Sequence, residues 1–166
     1  MSLAEILAKY KNKGALIDSN LLLLYFVGKY EPNLISSYKR TKIYTLQDYR
    51  LIDNIVSYFS KIVTTPNILT EVSNLSTQLP DSKRYDYFRE FRNQVSLITE
   101  SYVASSRACS NDYFSSIGLT DSAIVELAKN NYLVFTDDFR LVGLLRKTGV
   151  DAVNINHLRS LEWFGM

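Results

Sequence analysis

Short apolar runs alternate along this chain with segments in which apolar residues recur every three or four positions. Five runs have the length of a β-strand, at residues 15–18, 61–65, 95–101, 132–136 and 150–156. Helical spacing fills intervening segments, including residues 46–60, 83–93, 103–116, 121–130 and 139–147. Because strands that alternate with helices build parallel sheets covered by helices, the pattern predicts an α/β fold. We expect three α/β/α layers around a central, mostly parallel five-stranded sheet.

Polar residues and a proline mark the predicted starts of several helices. Asn20 is the predicted cap of a helix that begins in "LLLLYF", and Thr65 of a helix with Pro66 in its first turn. Thr120 is the predicted cap of the helix that contains Asp121. No repeat, low-complexity tract or Pro/Gly-rich linker divides the 166 residues, so we expect one domain over the whole chain.

The composition limits the kinds of metal site that the chain can form and bears on where in the cell it is expected. The one cysteine, Cys109, cannot form an internal disulfide, and with the one histidine, His157, it cannot form a Cys/His zinc site. The longest apolar run, residues 21–27, is shorter than the roughly 20 residues that a membrane-spanning helix needs. The N-terminus lacks the apolar block and cleavage site of a secretion signal. We expect a cytoplasmic protein that does not enter a membrane and binds any metal through oxygen.

Several acidic residues are predicted to lie near one edge of the sheet. Asp18 ends the first strand, and the adjacent Asp137 and Asp138 follow the fourth strand. Ligands of open parallel sheets bind outside these carboxyl ends. Glu71 and Asp121 lie on predicted helices, each on the side that carries apolar residues. The sequence therefore predicts inward-facing acids on helices beside acids at strand ends.

Each acid also has a structural explanation. Asp18 and Asp138 could be turn or cap residues, Glu71 a residue at the border of the core, and Asp121 a first-turn residue that the helix dipole favours. Together, with too few buried cations to pair them, they imply an external cation. Carboxylates that leave water positions open are typical of a catalytic Mg²⁺ or Mn²⁺ site.

The net charge of +2 includes the acids of the candidate site, and the rest of the chain is more basic than this value suggests. The chain has 19 Lys and Arg against 17 Asp and Glu, so five acids at one site leave 12 acids against 19 bases elsewhere. Such a surface suits a polyanion. Basic residues that only keep surface helices soluble explain the same numbers equally well.

Four motifs, "LIDSNLLL", "TPNILTEV", "GLTDSAIVELA" and "VFTDDFRL", together resemble the PIN domain family of metal-dependent ribonucleases, which is related in fold to flap endonucleases. The resemblance implies a catalytic, metal-binding quartet of Asp18, Glu71, Asp121 and Asp138. In "FTDDF" the family's pattern of threonine, any residue, aspartate selects Asp138, and a shift of one residue would make Asp137 the metal ligand.

The resemblance further implies that Asn20 and Thr136 support the acids. The activity that it implies is endonucleolytic hydrolysis of RNA by a metal-activated water, with Mg²⁺ or Mn²⁺ as cofactor and products that carry a 5′ phosphate and a 3′ hydroxyl. The stretch between Asp18 and Glu71 is longer than in compact toxin members. A toxin-type nuclease with an inhibitory protein partner and an RNA-processing nuclease therefore both stay open.

Partner contacts follow from the same resemblance. A homodimer is expected, with an apolar N-terminal stripe and Trp163 with Phe164 as candidate contacts, although core burial explains these residues equally well. Single-stranded or structured RNA has two candidate surfaces, each equally well explained as a solvated loop or helix. One comprises Tyr38, Lys39, Arg40, Lys42 and Tyr44. The other is segment 82–94, in which Phe88 and Phe91, together with the following Val95, would face the core and Arg89 and Arg92 the solvent.

The main alternative is a catalytically silent PIN-like module that binds RNA or protein. Such a module would lack one of the acids, and none is missing here. A receiver-like signalling domain needs a lysine at a late strand end, which segment 150–156 lacks. A phosphatase of the haloacid dehalogenase type needs a second aspartate where this chain has "DSN".

Overall fold

The computed structural model describes residues 1–159, whose backbone forms five strands, nine α-helices and a short 3₁₀ helix, Pro32–Leu34. The strands are β1 (Ala15–Ile17), β2 (Ile62–Thr64), β3 (Thr99–Glu100), β4 (Leu133–Thr136) and β5 (Ala152–Asn154). The helices are α1 (Leu3–Tyr10), α2 (Ser19–Tyr30), α3 (Leu46–Tyr58), α4 (Pro66–Ser76), α5 (Asp81–Ser96), α6 (Ser105–Cys109), α7 (Phe114–Ala128), α8 (Phe139–Lys147) and α9 (Ile155–Arg159).

All five strands are parallel and lie in the order β3-β2-β1-β4-β5. In the centre of the sheet, Leu16 of β1 pairs with Val63 on one side and with Val134 on the other. Every residue of β1, β2, β4 and β5 is buried, as expected for strands whose two faces are both covered. The prediction of an α/β fold with a five-stranded parallel sheet is confirmed.

The helices cover the sheet in two layers. The chain moves from β1 outward through β2 to β3, and then returns to the other side of β1 for β4 and β5. Right-handed crossovers in opposite directions place their helices on opposite faces. Helix α2 packs against α3, α4 and α5, and α7 packs against α6 and α8 and also contacts α4. The order reverses between β1 and β4, which leaves a crevice at their carboxyl ends where ligands of such folds bind.

Two predicted elements differ from the structure. Segment 95–101 was expected to be a strand, but α5 continues to Ser96 and β3 contains only two exposed residues. Val95 packs against the core on the same side of α5 as Phe88 and Phe91, so its apolar character belongs to a helix. The predicted helix over 103–116 is divided, because the Asn111 amide donates to carbonyls at the end of α6 and thereby satisfies them outside a helix.

Two of the three predicted caps are wrong. Helix α2 begins two residues earlier than expected, and its cap is Asp18, not Asn20. Thr120 lies inside α7, after a break at Gly118, whose φ of 79° is a conformation that residues with side chains rarely adopt. The prediction for Thr65 is confirmed, since its hydroxyl accepts a hydrogen bond from a backbone N–H in the first turn of α4.

The N-terminal apolar stripe belongs to the core, since Leu7 and Tyr10 of α1 are buried in it. The other predicted dimer contacts, Trp163 and Phe164, lie outside the described residues. Within residues 1–159, no helix combines the length and apolar character that a membrane crossing requires.

Candidate metal centre

The first two acids lie beyond the carboxyl ends of two strands. Asp18 follows β1 and caps α2, and Asp138 follows β4 and caps α8. The carboxylate of Asp138 accepts hydrogen bonds from the backbone N–H groups of Arg140, at 2.7 Å, and Leu141, at 3.2 Å. Thr136 joins the two ends, because its hydroxyl donates to Asp18 Oδ2 and accepts from the Asp138 N–H. Asp18 and Asp138 therefore both cap helices, as their structural explanation requires, and both lie at the predicted site.

Glu71 reaches the site from α4. The prediction that it faces the core is wrong, because the residue is exposed. It lies at the edge of the buried stripe of α4, where its side chain meets two neighbouring helices. The Ser19 hydroxyl donates to its Oε2 at 2.6 Å, and the Thr120 hydroxyl donates to its Oε1 at 2.5 Å. Both oxygens of the carboxylate are thus held by neutral donors from α2 and α7.

The four acids of the predicted quartet line one cavity of about 330 Å³. Asp121 contributes from α7 and is partly buried. The break at Gly118 belongs to the wall of this cavity, as do Ser19, Asn20 and Thr120. The structure therefore brings together Asp18, Glu71, Asp121 and Asp138.

Asp137 occupies a different position from its neighbour Asp138. It does not line the cavity. Its carboxylate accepts the Tyr44 hydroxyl at 2.5 Å, and its backbone carbonyl accepts from the Asn156 amide. The charge of Asp137 nevertheless acts on Asp18. This geometry favours Asp138 over Asp137 as the fourth acid.

Burial and mutual repulsion disfavour ionisation of two of the acids. Burial raises the pKa of Asp18 to about 7, and the charges of Asp137 and Asp121 act in the same direction, against hydrogen bonds from Thr136 and Leu21. Burial also raises the pKa of Asp121 to about 6, with further contributions from the charges of Glu71 and Asp138. Negative charge at this cavity is therefore poorly compensated.

No lysine or arginine within residues 1–159 forms an ion pair with any of the four acids. An oxygen-only set of carboxylates and hydroxyls has the chemistry that hard divalent cations prefer. The acids share a cavity without forming a coordination sphere, because in the described part of the chain no three His, Cys, Asp or Glu side chains are arranged to hold one metal ion. The chemistry of the donor set fits Mg²⁺ or Mn²⁺, whereas the positions of the described side chains do not form a coordination sphere.

The first predicted RNA surface lacks its aromatic component. Tyr38 and Tyr44 are buried, with hydroxyls that donate to the Leu75 carbonyl and to Asp137. They have no free ring face for a base, so the prediction that they stack on RNA is wrong. The cations of the same segment, Lys39, Arg40 and Lys42, are exposed.

The second predicted RNA surface has the expected orientation. Phe88, Phe91 and Val95 pack against the core, and Arg89 and Arg92 are exposed. A cavity of about 680 Å³ lies on this helix, larger than the cavity of the acids, and is lined by Asp81, Arg84, Tyr85, Phe88, Arg89 and Arg92. With a single acid, it has no metal-binding character.

Sequence reasoning missed three residues that hold the acids. Ser19 follows Asp18 directly in the motif "LIDSNLLL", and this adjacency was the available signal for its bond to Glu71. Thr120, predicted as a helix cap, instead donates its hydroxyl to Glu71. The contact between Tyr44 and Asp137 joins residues 93 positions apart, which no local pattern encodes.

The comparisons with family models and with curated proteins found no relative: no family model matches this chain, and no curated protein matches it. The likeness to the PIN domain family therefore rests on the four sequence motifs.

Proposed function

We propose that this protein is a metal-dependent endoribonuclease of the PIN type. Asp18, Glu71, Asp121 and Asp138 would hold Mg²⁺ or Mn²⁺ in the cavity at the carboxyl ends of β1 and β4. One observation carries the proposal: four carboxylates from separate elements line one cavity, two of them with raised pKa, and no ion pair compensates them in the described residues. Repulsion of this kind is relieved by a divalent cation.

A bound divalent ion would supply an activated water and stabilise the leaving oxygen of a phosphodiester. Neighbouring residues of the chain hold the acids in place for this reaction. Thr136 fixes Asp18 relative to the backbone of Asp138. Ser19 and Thr120 hold Glu71 at the cavity. Because water is the nucleophile, no side chain needs to form a covalent bond to RNA.

RNA is the proposed substrate, in the cytoplasm. Exposed Lys39, Arg40 and Lys42 precede Tyr44, whose hydroxyl donates to Asp137 beside the site. The basic segment therefore ends two residues before a tyrosine that contacts Asp137, and its charge suits a phosphate backbone. Toxin-type and RNA-processing roles both agree with this arrangement, and a homodimer or an inhibitory partner would modify the same activity.

The direct test is cleavage of a labelled single-stranded RNA by the purified protein with Mg²⁺ or Mn²⁺ and with EDTA. We expect cleavage in the presence of the metal and none after chelation. Asp18→Asn should abolish cleavage, and Asp53→Asn should not, because Asp53 is a surface acid paired with Lys29. Cleavage that persists in excess EDTA would overturn the metal mechanism. RNA binding without cleavage under all conditions would favour the catalytically silent module.

A further inference from the structure

Three aromatic side chains are exposed within residues 1–159. Tyr85 is 80% exposed, Tyr102 79% and Phe139 60%. Tyr85 lies on α5, and Tyr102 follows the edge strand β3. Phe139 is the first residue of α8 and comes directly after Asp138. Of the three, Phe139 is next in the chain to an acid of the candidate metal centre.

Phe139 has no role in the core. It is absent from the buried apolar cluster and from the apolar residues packed against that cluster. Its ring contacts the ring of His157, with centroids 5.7 Å apart and planes inclined by 61°. This contact fixes the ring on one side and leaves most of it in solvent. The exposed part of the ring offers a flat apolar face on which a flat ligand group can stack.

Arg140 adds a cation to the same turn. The residue is exposed, and its side chain forms no ion pair with the described residues. Its backbone N–H is one of the two that donate to the Asp138 carboxylate. Asp138, Phe139 and Arg140 thus present a carboxylate, an aromatic ring and a guanidinium in succession. Single-stranded RNA has partners for the last two, because its bases stack on aromatic rings and its phosphates bind arginine.

We propose that Phe139 is a base-stacking residue for single-stranded RNA, holding the base of a nucleotide adjacent to the phosphate that lies at Asp138. The proposal rests on the proposed function, because it places the scissile phosphate at the acids. It restricts the substrate, since a base inside a duplex cannot turn its face toward the ring. Arg140 binds a phosphate of the same stretch. The buried Tyr38 and Tyr44 cannot take this stacking role.

The test measures binding apart from cleavage. Fluorescence anisotropy of a labelled single-stranded RNA in EDTA gives the affinity of wild type, Phe139→Ala, Phe139→Tyr and Tyr102→Ala. Loss of one stacked base should weaken binding about 5- to 100-fold in Phe139→Ala. Phe139→Tyr keeps a ring and should bind like wild type. Tyr102→Ala removes an exposed ring that belongs to neither candidate RNA surface and should also bind like wild type.

Two further measurements separate stacking from charge. Phe139→Ala should leave the slope of log affinity against log salt unchanged, whereas Arg140→Gln should reduce it by about 1. An abasic oligonucleotide should bind wild type and Phe139→Ala equally. Equal RNA affinity of wild type and Phe139→Ala, or no RNA binding by wild type, would overturn the proposal.

The two proposals fail differently. RNA that is bound through Phe139 but never cleaved with Mg²⁺ or Mn²⁺ would refute the nuclease and leave the stacking site standing. Metal-dependent cleavage with unchanged RNA affinity in Phe139→Ala would refute the stacking site and leave the nuclease proposal standing.

Discussion

Two buried aspartates near the starts of helices have opposite surroundings. Asp18 is 6% exposed at the cap of α2, and Asp48 is 4% exposed in the first turn of α3. Asp48 accepts the Thr45 N–H at 2.7 Å and pairs with Arg159 at 2.6 Å. Asp18 receives a hydroxyl and one backbone N–H, and no cation from the described residues.

The difference separates a structural acid from a candidate functional one. A buried carboxylate is tolerated in a fold when a cation and hydrogen bonds replace its hydration, as Arg159 and Thr45 do for Asp48. Asp151 shows the electrostatic effect of such a partner, since its hydrogen bond from Lys9 lowers its pKa. The pKa of Asp18 is instead raised by burial. The missing cation at Asp18 is what a metal would supply.

The largest expected effect of this difference is on catalysis. Asp18→Asn keeps a side chain that can cap α2 and removes the charge of a metal ligand. Partners behind a metal ligand already contribute about 10- to 100-fold to activity or metal affinity, so loss of the ligand itself should lower the cleavage rate by about 10³-fold. RNA affinity should stay within about twofold of wild type. Single-turnover cleavage and anisotropy measure the two quantities.

Asp48→Asn is the control for that experiment. It changes a carboxylate that is equally buried but paired, and should leave the cleavage rate per folded molecule unchanged. If Asp48→Asn lowered the rate as much as Asp18→Asn, the two acids would not differ in function and the comparison would lose its meaning.

The next effect compares the adjacent acids after β4. Asp138 lines the cavity, whereas Asp137 is held outside it by Tyr44. Asp138→Asn should therefore lower the cleavage rate at least about tenfold more than Asp137→Asn, since a ligand matters more than a neighbouring charge. Parallel rate measurements decide the order. The opposite order would move the quartet to Asp137 and shift the motif by one residue.

A smaller effect should appear in stability. Asp48→Ala leaves Arg159 and the N–H of Thr45 without their acceptor. Because the Arg159 side chain is 40% exposed, water compensates part of the loss, and we expect about 1–3 kcal/mol, below the value for a fully buried pair. The melting temperature should fall by roughly 2–4 °C per kcal/mol. Thermal melting measures the change.

The matched control for this loss is a surface pair. Removing Arg89, which lies 3.5 Å from Asp86 with both side chains exposed, should change the unfolding free energy by less than about 1 kcal/mol. If Asp48→Ala and Arg89→Ala lowered the unfolding free energy equally, the buried pair would contribute no more to stability than the surface pair.

The sequence predicted those features that have a local or periodic signal. Strand β4 and its acids could be recognised because an apolar run ends at Asp137 and Asp138. The assignment of the α2 cap to Asn20 was wrong, and the local sequence did not reveal the error, because aspartate and asparagine are equally good caps and Asp18 and Asn20 stand two positions apart. The single domain predicted for the chain remains a prediction.

Features that depend on long-range packing were missed. The tyrosines at 38 and 44 have the composition of an RNA-binding loop, yet their rings are buried by contacts with α4 and with the end of β4. Glu71 looked like an inward residue from its spacing, because the helical period does not tell the edge of a buried stripe from its centre. The hydroxyl contacts of Glu71 arise only when α2, α4 and α7 meet.

The last and smallest effect is the pH dependence of the metal-free protein. The pKa of Asp121 is about 6 in the folded state, against about 3.9 for an unperturbed aspartate. Between these values the folded state binds more protons than the unfolded one, so stability falls as pH rises from about 4 to 6. Asp18 extends the same trend to about pH 7. Asp121→Asn removes one of the two titrations.

Asp121→Asn should therefore be more stable than wild type at pH 7.5, by about 1 kcal/mol because partial exposure screens the charge. The difference should disappear near pH 4, where Asp121 is protonated anyway. With Mn²⁺ the wild type should be the more stable of the two proteins, because the variant binds the ion less well. A ligand at a hundredfold excess over its Kd stabilises the folded state by about 2.7 kcal/mol. Melting curves at both pH values, with EDTA or Mn²⁺ at constant ionic strength, provide the test. A wild type that melts identically with and without Mn²⁺, beside a variant that is less stable at every pH, would make these carboxylates structural groups like Asp48.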